Sequence, residues 1–214
     1  MDLYITQKSY YFVHQHFINI FLRENSHVIY VKETKRGILK KYIEITANFG
    51  LLNVIRASIM EFVYYILLSK KTKKIITINT SDHNLNTFLE EKIKSKLYDQ
   101  IFSIGCPCII DATLQKRYNI NIYNLHGGII PFQKGRFSPI KAIKKKDLFL
   151  GASLYLISDI FDEGSLISQD YFQINNKFIM ENYHRVLKLS ADLLENYLSG
   201  EVKDLPIDVY ESLK

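Results

Sequence analysis

Cysteine is scarce in this chain. Its two cysteines, Cys106 and Cys108, stand one residue apart, too close for ordinary intrachain disulfide geometry and with no third thiol to pair with. That excludes a disulfide-stapled secreted fold and leads one to expect a reducing, cytoplasmic location. Clean hydrophobic runs of spanning length are also missing. The most apolar window, residues 51–68, carries Asn53, Arg56 and Glu61. It reads as an amphipathic helix packed on a sheet, with a helix lying on a membrane surface as the alternative, and no stable membrane insertion is expected. The opening MDLYITQKSYYF has no basic region followed by a small-residue cleavage site, so no cleaved leader is expected. There is no internal repeat and no low-complexity segment. No aromatic-basic pattern is present either, which argues against a nucleic-acid partner.

What is there describes a globular protein of ordinary composition, 214 residues with 47% apolar, enough for one domain with a small appendage. The formal charge is +6. It suits a phosphorylated or carboxylated small molecule, RNA or an acidic membrane surface. The basic residues are scattered or in short runs (70–74, 144–146), so charge alone does not choose.

Apolar β-type runs at residues 3–6, 27–32, 74–79 and 99–105 alternate with helix-period stretches at 12–22, 51–68 and 85–96. Residues 34–50 read as a basic excursion. Asp111 is placed to cap a short helix ending near Tyr118. Strand then helix, repeated, predicts an α/β fold with a mostly parallel twisted sheet and helices on both faces. Ser138 as N-cap and Pro139 in the first turn predict a helix to about Lys146. Two β runs, 150–158 and 165–174, joined by an acidic loop, read as neighbouring strands. A helix follows over about 180–198, with Gly200 as its stop.

Asn124 and His126 close one apolar run, residues 120–125, and Asp162 lies in the acidic loop after the next. Strand ends presenting such groups are where an α/β sheet keeps its chemistry. An amide and an imidazolium are both hydrogen-bond donors. Aimed at one carbonyl oxygen, they stabilise an oxyanion, and a carboxylate favours the charged imidazole. No side chain here is an obvious nucleophile, so the attacking group would belong to a substrate. This is the chemistry of acyl transfer between two bound small molecules. Tyr123 and Tyr155 read as packing residues of strands. The Cys-Pro-Cys pair lacks convincing partners for a metal, and no metal site is expected.

The order Asn124-Leu125-His126, Ile130-Pro131, Lys134-Gly135-Arg136, Gly151-Ala152-Ser153 and Asp162-Glu163-Gly164 resembles the core of the formyltetrahydrofolate-dependent formyltransferases. The resemblance is good over about 99–169 and looser outside. It implies a Rossmann-like formyltransferase fold, with a catalytic domain over 1–200 and a short tail over 201–214. The catalytic set it implies is Asn124, His126 and Asp162. Asn124 and His126 would hold the formyl oxygen, and Asp162 would orient and charge His126. It also implies 10-formyltetrahydrofolate as co-substrate. The pterin would be held by the backbone of Gly105, Cys106, Cys108, Ile109 and Ile110 and of Ser158, Asp159 and Ile160.

Two departures bear on the acceptor. Gly127-Gly128 stands where the family usually has Pro-Ser or Ala-Ser, and residues 3–12 contain no glycine where the purine-pathway enzyme has a phosphate loop. With no sign of the extra C-terminal domain of the tRNA enzyme, the expected acceptor is the amine of a nucleotide-linked amino sugar. Its expected setting is bacterial surface polysaccharide such as lipopolysaccharide O-antigen. Arg136 is the candidate contact to that acceptor's anionic part. The alternatives are another small amine, such as an amino acid or a glycinamide-ribonucleotide-like compound, and a non-catalytic folate-binding relative. A homodimer is among the open oligomeric states.

Overall fold

A computed structural model describes residues 1–7, 13–32, 75–79, 82–95, 97–174 and 179–213, together with scattered positions between 43 and 66. The chain divides into two compact units, Met1–Tyr123 and Asn124–Lys214.

In the first unit the strands are β1 (Asp2–Gln7), β2 (Ser26–Lys32), β3 (Ile75–Asn79) and β4 (Gln100–Ile104). β1 pairs in parallel with β2 and β4, and β2 with β3, giving the order β3-β2-β1-β4. The chain winds outward from β1 and then returns to its other side, the topology of a doubly wound sheet. Leu3, Tyr4 and Ile5 of β1 and Val28, Ile29, Tyr30 and Val31 of β2 are buried in unbroken runs. A strand buried on both faces can be apolar at every position, which explains why these runs do not alternate. Phe17, Ile20 and Phe21 of α1 (Val13–Phe21) are buried beside them. Tyr4 stacks on Phe102 at 5.4 Å and Phe102 on Tyr123 at 5.1 Å. Two further helices are α2 (Asp82–Lys94) and α3 (Thr113–Tyr118). Ala112, not Asp111, takes the cap position of α3; the Asp111 carboxylate accepts from the Thr113 amide at 2.9 Å in a turn just before the helix.

The expected mostly parallel α/β sheet is borne out. The helix expected over 51–68 falls partly outside the described residues, as does much of the excursion over 34–50. The described positions from 43 to 66 are helical except Gly50. Among the described positions of this stretch the expected packing of an apolar face is not met. Val54 is buried, but Leu51, Leu52, Ile55, Ile59, Phe62 and Val63 are exposed. Apolar residues cover an arc wider than one helix can bury against one neighbour. No helix among the described residues is long and apolar enough to cross a membrane.

In the second unit the order is β5-β6-β7, with β5 (Asn121–His126) crossing the boundary, and β6 (Phe149–Leu156) antiparallel to β7 (Ser165–Gln173). The helices are α4 (Ser138–Lys145), α5 (Ile179–Leu198) and α6 (Ile207–Ser212). Val186 of α5 packs with Ala142 of α4 and Leu150 of β6, so the apolar stripe of α5 clamps the hairpin. The C-terminal stretch is fastened to the same unit. Gln169 N–H donates to the Lys203 carbonyl at 2.7 Å, the Lys203 ammonium meets Asp170 at 2.8 Å, and Tyr210 lies edge-on to Phe132.

Candidate active site

Asn124 and His126 are two residues apart on β5, so the strand's period of two turns both side chains to one face. Tyr155 reaches the same place from β6. Asp162 comes from the loop after β6, where it adopts a left-handed backbone with φ of +54°, a conformation Asp tolerates better than most residues. Its side chain is fully buried.

These four side chains meet. The Asn124 amide nitrogen donates to the Tyr155 hydroxyl at 2.5 Å, and that hydroxyl donates to Asp162 Oδ1, also at 2.5 Å. The other carboxylate oxygen accepts from the Gly135 amide at 2.7 Å. His126 Nδ1 stands 3.8 Å from Asp162 Oδ1, within electrostatic reach but longer than a hydrogen bond. His126 Nε2 lies 2.7 Å from the Gln133 carbonyl. A carbonyl only accepts, so Nε2 carries a hydrogen, and Nδ1 is the nitrogen turned toward Asp162. Burial, reinforced by the hydrogen bond to Asp162, pushes the Tyr155 phenol far above its usual ionisation range, so it remains a donor.

The turn holding His126 is built from buried polar groups bonded to one another. Gln133 accepts from Ile129 N–H with its side-chain oxygen and donates to Asp147 and to the Phe149 carbonyl. Ser153 donates to the Gly128 carbonyl and accepts from Ile130 N–H and Gln169. A side chain at Gly128 would lie 2.5 Å from the Gln133 carbonyl and 2.9 Å from His126 Nε2. Glycine at 128 is therefore required, where the imidazole and its acceptor crowd the backbone. At Gly164 an added Cβ would collide with the Leu156 carbonyl, so only glycine lets the loop that carries Asp162 rejoin β7.

Ser138 is a correction. It is the first residue of α4, after Phe137 at the cap position, and its hydroxyl donates to the Gly127 carbonyl at 2.6 Å instead of capping the helix. The hydroxyl thus ties α4 to the glycine turn. Tyr155 is another: it is bonded to Asn124 and Asp162, whereas Tyr123 packs as expected. Nothing in the sequence distinguishes the two tyrosines, since both are aromatics within apolar strand runs. Gln133 was equally unmarked.

No family model matches the chain. It is 23% identical over 139 residues to the methionyl-tRNA formyltransferase of Hydrogenobaculum sp. (strain Y04AAS1), a match covering 61% of this chain and 45% of that protein. The chain thus spans less than half the length of this curated relative. Among solved structures, the phosphoribosylglycinamide formyltransferase from Anaplasma phagocytophilum superposes with a TM-score of 0.62 at 12% identity, covering 92% of this chain and 85% of that one. A sugar N-formyltransferase from Shewanella sp FDAARGOS_354 gives 0.57 at 17% identity, covering 96% and 73%. The fold is that of the formyltransferases. The family resemblance read from the sequence is borne out by these similarities.

Within this formyltransferase fold, Ser158, Asp159 and Ile160 are exposed on the loop leading to Asp162. Ser158 folds back on Ile160, its hydroxyl donating to the Ile160 carbonyl at 2.8 Å. Ile160 and Phe161 are 61% and 65% exposed. Gly105, Cys106, Cys108, Ile109 and Ile110 form a loop of the first unit after β4. Asn86 of α2 secures it, donating to the Ile109 carbonyl at 3.0 Å and accepting from Asp111 N–H at 2.9 Å. Arg136 is exposed, with its guanidinium 5.1 Å from the Phe137 ring centre. Lys134 pairs with Glu163 at 2.6 Å beside Asp162. Among the described residues no three His, Cys, Asp or Glu side chains gather as metal ligands.

Proposed function

We propose that this protein is an N-formyltransferase that moves a formyl group from 10-formyltetrahydrofolate to the amine of a nucleotide-linked amino sugar. The observation that carries this reading is the meeting of His126 Nδ1 and Asp162 at 3.8 Å, with Asn124 bound to the same carboxylate through one hydroxyl.

The co-substrate supplies an activated formyl carbon. The exposed Ile160 and Phe161 fit a flat pterin, offering apolar surface beside Asp162, and the backbone of Ser158, Asp159 and Ile160 supplies polar contacts. The acceptor amine adds to the formyl carbon, and the carbonyl oxygen gains negative charge. Asn124 directs an amide hydrogen at that oxygen, and protonated His126 directs Nδ1–H at it. Asp162 stabilises the imidazolium. The carbon–nitrogen bond to the folate then breaks. Nδ1–H gives its proton to the departing folate nitrogen, and the Nδ1 lone pair so freed takes one from the ammonium that the attacking amine has become, which restores the imidazolium. Nε2 is committed to Gln133 and takes no part.

The amino-sugar acceptor is supported by the absence of glycine from residues 3–12 and by the likeness to a solved sugar N-formyltransferase. Exposed Arg136 is assigned to its anionic part. The curated relative favours a second reading, in which the amine belongs to an aminoacyl-tRNA. A purified-protein assay following tetrahydrofolate release decides between them. Nucleotide-linked amino sugars, methionyl-tRNA, glycinamide ribonucleotide and amino acids are offered in turn. Turnover with a nucleotide amino sugar well above the rest is expected. Preference for methionyl-tRNA would establish the second reading, and no turnover with any amine would refute transferase activity.

A further inference from the structure

One buried group touches two members of the proposed catalytic set and has no task in the proposed chemistry. Tyr155 is 3% exposed. Phenylalanine would fill nearly the same space, and a buried hydroxyl is costly unless bonded, so the oxygen calls for an explanation. It is bonded on both sides, to Asn124 and to Asp162.

The direction of these bonds follows from counting hydrogens. A phenol has one hydrogen to give, and the Asp162 carboxylate takes it. What the oxygen turns toward Asn124 is a lone pair, which accepts N–H and repels C=O. The amide therefore faces Tyr155 with its nitrogen. A flipped amide would set two oxygens against each other. Asn124 keeps its second N–H for another acceptor. Asp162, meanwhile, is held from two sides, by Tyr155 on Oδ1 and by the Gly135 amide on Oδ2.

We infer that Tyr155 is the positioning residue of this site: its hydroxyl dictates which end of the Asn124 side chain faces the reacting carbonyl and fixes Asp162 opposite His126. This rests on the formyl-transfer reading for its kinetic consequence, though not for its geometry.

The test is Tyr155→Phe, with folding checked by melting and near-ultraviolet circular dichroism. In steady-state formyl transfer, kcat falls about tenfold, the worth of one neutral hydrogen bond, while KM stays within about twofold. In an Asn124→Ala background the same change costs clearly less than in the wild type, because the amide it orients is gone and only its hold on Asp162 is left to lose. A kcat within about twofold of wild type, or effects that simply multiply, overturns the inference.

A second readout needs no catalysis. In nitrogen-15 spectra of the wild type, the two Asn124 side-chain hydrogens, assigned by their loss in Asn124→Ala, are expected to exchange with solvent at clearly different rates. The slow one faces Tyr155. In Tyr155→Phe the difference collapses. Equal rates in the wild type, or an unchanged difference in the variant, overturn the inference. This measurement also stands if no amine proves to be a substrate, in which case the formyl-transfer reading falls and the positioning of Asn124 is still decided.

Discussion

The two units of this chain bury different things. Among the described residues, the core of the first is mostly apolar, built on Leu3, Tyr4, Ile5, Ile29, Tyr30, Ile101 and Phe102, with Thr6, Gln7, Ser26 and Ser103 as its buried polar residues. The second buries Gln133, Ser138, Ser153, Asp162, Ser168, Gln169, Asn182 and Ser190. Apolar burial tolerates small errors of placement, because it has no direction. A buried polar network holds only when its members meet at bonding distance, so it fixes side chains to fractions of an ångström. The second unit places its polar groups where Asn124, His126 and Asp162 need fixing. Packing in one unit and positioning in the other are thus separable, and mutations divide accordingly.

The largest effect on stability is expected in the first unit. Phe102→Ala removes a ring stacked between Tyr4 and Tyr123 and costs about 3–5 kcal/mol, read by denaturant unfolding, while kcat per folded molecule is unchanged. The largest effect on catalysis belongs to the second. Asn124→Ala slows turnover by about a hundredfold or more and shifts the melting temperature little, since in the proposed mechanism it removes an oxyanion donor and not a core side chain. Between these stands Gly128→Ala. The added methyl presses on the Gln133 carbonyl and His126 Nε2, so stability falls by about 1–3 kcal/mol and kcat falls with it. A crystal structure of that variant is expected to show the imidazole displaced. The smallest effect is that of Lys134→Ala. Its pair with Glu163 is largely open to solvent, so both unfolding and kcat stay within error of wild type.

Much of the fold was legible because its signals are local. Unbroken apolar runs marked the parallel strands, and the alternation of strand and helix named the class. Asn124 and His126 were legible for the same reason, since spacing on a strand fixes their common face. Asp162 was reached only through the order of motifs around it, because a loop residue in a left-handed conformation has no periodicity to reveal it. Tyr155 and Gln133 were not legible. Each acts through a partner distant in sequence, Asp162 and Asn124 for one, the held imidazole for the other. The residues around 51–63 failed differently. Helical periodicity was readable, but which apolar positions find a neighbour depends on tertiary packing.

The central claim is that His126 and Asp162 act as one unit on the reacting carbonyl. A double-mutant cycle on kcat/KM tests it most directly, using His126→Ala, Asp162→Asn and the pair, assayed with the best amine acceptor. If Asp162 works through His126, the double variant is within about threefold of the slower single variant. If the two losses multiply, the carboxylate and the imidazole act separately, which contradicts a catalytic role for the 3.8 Å contact between them.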